Sequence, residues 1–553
     1  MLLQRPFGRC LRPPPDHADD QDRSKGNHPR TKAHSCSSYK GVPGKQACPV
    51  RLTGGLITYR PKPESSNHGL RWQERLGSYR SSLGHCPGGP PGPNILAVQC
   101  SREGWRPDAN WLLSSGFWSP RRRLHHLNRQ PFMNRRLSVA VAFSFGVLAP
   151  SACSPGRVVP ESVRPTVILV SVDGLRWDYI DRPAMVNLRR LAAAGVRAPG
   201  IVPAFPTKTF PNHYTMVTGL YPDHHGIVAN NMWDPVLQAR FGLSIRDAVA
   251  DGRWWGGEPI WVTAEQQGQR TAPMFWPGSE AEIRGIRPTY WVPYDGDIPD
   301  AARVDSVLAW LDLPPERRPT FLTLYVSAID EAGHRYGTRS LEVNDGLARV
   351  DQVIARLIAG LESRRLRDKV DVIVTTDHGM ADTSPETVIL MDDYIDLAIV
   401  RVVDWSPVIA IAPPPDRIDE VYRTLAHAHP HLQVYRKEDI PARLHYGTHP
   451  RIPAIIGIAD EGWSITTRAR FEENPAWFAG ANHGYDNALE SMKGVFVADG
   501  PSFKDGARAP SFQNIHLYAL MAHILGLVPA ATDGSLDSVR VMLRIPGGAV
   551  AVP

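Results

Sequence analysis

Cysteine is scarce in this chain and confined to one end. The 553 residues contain six cysteines, five of them (Cys10, Cys36, Cys48, Cys86 and Cys100) near the start and the last at Cys153. Everything after Cys153 therefore excludes a disulfide, a cysteine-ligated zinc and a cysteine nucleophile. A large core lets such a chain work without disulfides even in an oxidising compartment. Long apolar runs are missing too: Leu137–Leu148 is too short to span a membrane. No internal repeat is visible. The overall charge of +6 is uneven, because residues 1–132 carry 21 Lys and Arg against 8 Asp and Glu. The remainder carries 41 basic and 48 acidic residues, so the high isoelectric point does not mark it as a nucleic-acid binder.

Residues 1–132 are rich in Arg, Pro, Gly, Ser and His, and runs such as CPGGPPGP sustain neither helix nor strand. This composition predicts a disordered or mis-annotated leader. Met133 then opens a secretory-signal pattern over residues 133–153: Arg135 and Arg136, the apolar Leu137–Leu148, and small residues up to Cys153. The expectation is that Met133 is the true start. The product would be periplasmic or secreted, or anchored through a lipid at Cys153. Against the anchor, Pro150 stands where bacterial lipoprotein signals usually have Leu.

Residues 160–548 read as one α/β catalytic domain. Strand-like runs (TVILVSVD, FLTLYVSAID, DVIVTTD) alternate with amphipathic helical patterns such as MVNLRRLAAAG, which predicts a mainly parallel central sheet with helices on both faces. SPVIAIA, RIDEVYRTLAHA and LQVYR read as a small β-α-β unit. Residues 232–300, rich in Trp, Pro and Gly, read as long surface loops.

The three strand-like runs end at Asp173, Asp330 and Asp377. The carboxyl ends of parallel strands are where open α/β sheets build their sites. His334 follows Asp330 by four residues, His378 follows Asp377 directly, and His483 lies downstream in ANHGY. A lone strand-end aspartate is ordinarily a cap or turn residue, but mixed Asp and His in this number suit a pair of divalent cations. Thr207 and Thr209 precede a helix start near Pro211–Asn212. A hydroxyl there faces unpaired N–H groups and the positive end of the helix dipole, a good place for an attacked phosphate.

The stretches SVDGLRWDY, PTKTFPNHYTMVTGLYPDHHGIVANNM, WPGSEAEIRGIRPTYW, DEAGHRYG, TTDHGM and ANHGYDN together resemble the nucleotide pyrophosphatase/phosphodiesterase family of the alkaline phosphatase superfamily. They occur in the family's order and span about residues 165–545; the leader takes no part. The resemblance implies an alkaline-phosphatase-like α/β fold and two zinc ions. Asp330, His334 and His483 would hold one zinc. Asp173, Asp377 and His378 would hold the other, with Thr209 as both ligand and nucleophile. It further implies that Asn230 contacts the phosphate, that Phe210 and Tyr294 sandwich a base, and that Trp276 lies near the same pocket. Thr207 is read as structural, and His213, His224 and His225 as structural or supporting.

The leading expectation is a phosphodiesterase/pyrophosphatase that releases nucleoside 5′-monophosphates. The same chemistry on a choline-type lipid head group is the alternative, since aromatics also cradle quaternary ammonium. A non-catalytic zinc-binding scaffold is the third reading, although no ligand or nucleophile is missing. A sulfatase would need a Cys- or Ser-derived formylglycine, and no cysteine follows Cys153.

Overall fold

The computed structural model describes residues 164–544. The predicted leader, the signal-like segment 133–153 and Cys153 lie outside the described residues. Eight strands form the main sheet. Its longer members are β1 (Thr166–Val172), β2 (Val196–Val202), β4 (Phe321–Val326) and β5 (Val370–Thr375), with Gly494–Asp499 antiparallel between β2 and β5 and β3 (Thr271–Met274) at one edge. β5, β1, β4 and β3 are adjacent and parallel. The sheet is therefore mainly parallel, as its apolar runs predict.

Every residue of β1 and of β5 is buried. Successive side chains alternate between two cores, Val167 and Leu169 facing one, Ile168 and Val170 the other. Helices α1 (Val186–Ala194), α2 (Thr209–Thr218), α3 (Asp300–Leu311), α4 (Ala328–Tyr336), α5 (Leu341–Ser363) and α6 (His516–Ile524) cover the faces. The side chains of α2 and α6 join the core of Val167, and those of α1, α3 and α5 the core of Ile168.

Three expectations need correction. The run FLTLYVSAID is not strand throughout: β4 stops at Val326, and Asp330 sits in the first turn of α4. Acidic side chains favour that helix end, and the helix puts His334 one turn beyond Asp330 on the same face. The proposed β-α-β unit is part of a separate four-stranded antiparallel sheet in the order Arg401–Asp404, Val408–Ala412, Ile455–Ala459, Leu432–Arg436. Ile455–Ala459 thus intervenes between the two strands taken as one unit, antiparallel to both. The segment 232–300 is more ordered than its composition suggests. It holds a hairpin (Asn231–Asp234 with Ala239–Gly242), a helix (Ile260–Gln266) and the edge strand β3.

Trp254, Trp255 and Trp261 are core residues, and Trp291 is exposed beneath Arg287. His225, fully buried under α2, bonds Thr215 Oγ1 through Nε2 (3.0 Å) and accepts the Ile227 N–H at Nδ1. That geometry requires a neutral ring. Burial, with the charge of His449 and His224 added, holds its pKa down at about 3. The unfolded chain thus binds a proton that the native state refuses once pH falls below about 6.5. Stability present above that value should be lost progressively down to about pH 3. In His225→Asn, which keeps an acceptor for Ile227, unfolding midpoints should start lower at pH 7 but fall less steeply in acid. An unchanged acid slope would contradict this.

Candidate metal and phosphoryl-transfer site

Because β5, β1 and β4 are adjacent and parallel, their carboxyl ends open onto one edge. Asp173 directly follows β1, Asp377 and His378 follow β5, and Asp330 with His334 comes from the helix after β4. His483 arrives on a distant loop. Gly480 lets that loop approach closely, since a Cβ there would lie 1.9 Å from the His334 carbonyl oxygen. The six side chains converge. His334 Nε2 and His483 Nε2 lie 3.4 and 3.7 Å from Asp330 Oδ1. His378 Nε2 lies 2.9 Å from Asp377 Oδ2 and 3.4 Å from Asp173 Oδ1. Asp330, His334 and His483 are close enough together to hold one ion, while Asp173 groups both with Asp330 and His378 and with His213 and Asp377.

Each imidazole is oriented from behind. The Nδ1 atoms of His334, His378 and His483 face the carbonyl oxygens of Ala481, Gly379 and Thr207 at 2.8–3.0 Å. A carbonyl only accepts, so each Nδ1 donates and each Nε2 faces the cluster, the arrangement of metal-ligating histidines. Thr207 also accepts the Gly484 N–H on its hydroxyl, so its work is to hold the His483 loop.

The electrostatics require positive charge. Asp173 Oδ1, Asp330 Oδ1 and Asp377 Oδ2 are buried without a hydrogen-bond partner, a costly state unless a cation binds. Burial, then repulsion from Asp377 and Asp330, raises the Asp173 carboxyl well above its usual range. Burial lifts Asp330 to about 7. His378 rises as well: burial opposes its charge, but Asp377, Asp173 and Asp330 push it up to about 9. Burial and the His378 charge hold His334 and His483 low. The donor set of carboxylate oxygens and imidazole nitrogens fits zinc or a similar divalent ion.

Thr209 is the first residue of α2, and its hydroxyl lies 3.4 Å from His378 Nε2. The turn before it is fixed by buried Asn212, whose amide bonds the carbonyls of Ala204, Pro206 and Lys208. Asn230 Oδ1 accepts the Phe210 N–H (3.0 Å).

Against this geometry, known proteins are informative. Residues 167–486 match the profile of the family described as type I phosphodiesterase / nucleotide pyrophosphatase. The chain belongs to that family. Its curated relatives include an uncharacterized pyrophosphatase/phosphodiesterase of Schizosaccharomyces pombe, 39% identical over 68% of this chain and 80% of the relative. Human ectonucleotide pyrophosphatase/phosphodiesterase family member 5 is 37% identical over 72% and 82%. A Crotalus durissus collilineatus venom phosphodiesterase is 38% identical over 69% of this chain and 46% of its own length. Among solved structures, an inactive threonine-to-alanine form of murine ectonucleotide pyrophosphatase/phosphodiesterase 5 in complex with AMP superposes with a TM-score of 0.65. It is 37% identical and is covered completely by 69% of this chain. The fold is thus that of the ectonucleotide pyrophosphatase/phosphodiesterases, and the chain is a hydrolase of the phosphodiesterase/pyrophosphatase kind.

The other predicted family residues are placed as follows. Phe210 is half-buried, its ring 6.0 Å from those of Phe241 and Trp255. Tyr294 is 42% exposed and stands 6.1 Å from Tyr325. Trp276 is buried, its indole N–H committed to the His213 carbonyl. It lies one layer behind the cluster. His213 packs in that layer, with Nδ1 2.9 Å from Thr209 O and 3.4 Å from Asp377 Oδ2, and Nε2 2.9 Å from Ser171 Oγ. His224 lies outside, paired with Asp533.

The sequence reading missed Tyr325, whose hydroxyl donates to Asp173 Oδ2 (2.8 Å) and fixes that carboxylate. Its signal is only register: Tyr325 pairs with Ser171, two residues before Asp173. Lys208, whose direction the sequence leaves open, turns away from the cluster to Asp404.

Proposed function

We propose that this chain is an exported, two-zinc phosphodiesterase/pyrophosphatase that cleaves nucleotide diesters or pyrophosphates through Thr209. The observation that carries the reading is the Thr209 hydroxyl at a helix N-terminus, beside a cluster of three carboxylates with unpartnered oxygens. The zinc ions, held by Asp173, Asp377 and His378 and by Asp330, His334 and His483, would supply Lewis acidity at the Thr209 hydroxyl and at the departing oxygen. Thr209 Oγ attacks phosphorus in line, and the bond from phosphorus to the leaving oxygen breaks. Water then cleaves the phosphorus–Oγ bond, releasing a nucleoside 5′-monophosphate and restoring the hydroxyl. Asn230 gives its Oδ1 to Phe210 N–H, which aims its Nδ2 donors elsewhere, and here they are assigned to an equatorial phosphoryl oxygen. Phe210 and Tyr294 flank the base.

Two further facts support the reading. The inactive murine relative carries a threonine-to-alanine change and binds AMP. Lys208, the cation next to Thr209, is committed to Asp404 and so is not free to meet the second charge of a monoester. Export rests on the signal-like pattern after Met133 and on relatives named as ectoenzymes and venom proteins. Among the described residues no helix is long and apolar enough to cross a membrane.

The test is zinc-loaded protein on three nitrophenyl esters: a nucleotide diester, a monoester and a phosphocholine ester. The nucleotide diester should be preferred by at least about tenfold in kcat/KM, a modest difference in transition-state binding. Preference for the choline ester would move the substrate to lipid head groups, and preference for the monoester would overturn the reading.

A further inference from the structure

The residues on either side of the proposed nucleophile, and the residue after Asn230, are joined into a closed ring by one carboxylate from the second sheet. Lys208 Nζ donates to Asp404 Oδ2 (2.5 Å) and to the Trp405 carbonyl (3.1 Å). Asn231 Nδ2 donates to the other oxygen, Asp404 Oδ1 (3.0 Å). Phe210 N–H closes the circuit on Asn230 Oδ1. The chain thus runs Lys208, Thr209, Phe210, across to Asn230 and Asn231, across to Asp404, and back to Lys208. Thr209 and Asn230 are both carried on it. Asp404 ends the strand Arg401–Asp404, which is no part of the main sheet.

The ion pair is nearly dry, with side-chain exposures of 6% for Lys208 and 7% for Asp404. Stability alone is a poor reason for such a pair, since a well-packed apolar pair of similar volume often does as well. What an apolar pair cannot do is hold two donors from two segments at fixed separation. We propose that Asp404 is a positioning residue that sets the distance between Thr209 and Asn230 by binding Lys208 and Asn231 at once. The proposal rests on the assignment of Thr209 and Asn230 above. Asp404 touches neither substrate nor metal; it acts through the two residues it grips.

The experiment is steady-state kinetics of the zinc-loaded full chain on the nitrophenyl nucleotide diester, beside unfolding midpoints. Three variants are compared: Asn231→Ala, Lys208→Met/Asp404→Leu, and Thr209→Ala as the control for the underlying reading. Asn231 is exposed, so Asn231→Ala should still fold, its midpoint lowered only by the lost bond to Asp404, yet lose about tenfold in kcat. The double variant should lose about a hundredfold, the cost of a misplacement near 1 Å. In both, KM should move less than about twofold, since ground-state contacts survive. A merely structural pair would lower midpoints and leave kcat alone. Wild-type kcat in Asn231→Ala and in any folded double variant, with Thr209→Ala inactive, overturns the ring and leaves the nucleophile standing. Activity in Thr209→Ala instead removes the nucleophile on which the ring was argued.

Discussion

Thr209→Ala should lower kcat on a nucleotide diester by about three orders of magnitude or more, the scale seen when a covalent nucleophile is removed. The fold should not notice. Thr209 begins α2, where alanine is well tolerated, and the turn before it is held by Asn212 rather than by the threonine hydroxyl. The six Asp and His side chains converge without help from Thr209, so zinc content should fall little. Elemental analysis beside the kinetics separates the cases. Lost turnover with two zinc ions retained supports a nucleophile, whereas lost turnover with lost zinc would reduce Thr209 to a ligand. Turnover within tenfold of wild type would sink the assignment.

Removing the metal should have the second largest effect. Asp173, Asp330 and Asp377 each bring one buried carboxylate oxygen without a hydrogen-bond partner into the site. Without divalent charge the cluster must draw protons, which is what the upward shifts of Asp173, Asp330 and His378 express. Exhaustive chelation should abolish turnover and lower the unfolding midpoint. Metal present a thousandfold above its Kd stabilises by about 4 kcal/mol through mass action, and that increment disappears with the metal. Added zinc should restore both activity and midpoint. Full activity after chelation, in protein shown to be metal-free, would contradict the site.

What the sequence revealed depended on how local the determinants were. Asp173 and Asp377 were legible because each follows a largely apolar strand, and a parallel sheet sends such ends to one edge. Asp330 was legible as a site residue but not in its setting, because VSAID prolongs the apolar pattern of β4 while the chain has already turned into α4. The family motifs carried Thr209, Asn230 and His483, which no periodicity would have joined. The pairing of the second sheet was hidden, since alternating strands and helix do not say that Ile455–Ala459 slips between two earlier strands. Tyr325 and Asp404 were hidden for the same reason. Each matters through a contact between residues distant in sequence, Tyr325 to Asp173 and Asp404 to Lys208.

In the proposed mechanism phosphorus is attacked first by Thr209 and only then by water. Each in-line displacement inverts phosphorus, so two in succession restore it. Hydrolysis of a nucleotide phosphorothioate diester of known configuration in ¹⁸O-labelled water reads this directly. The product should retain the configuration at phosphorus. Inversion would mean that water attacks in a single step, and that Thr209 is not the nucleophile.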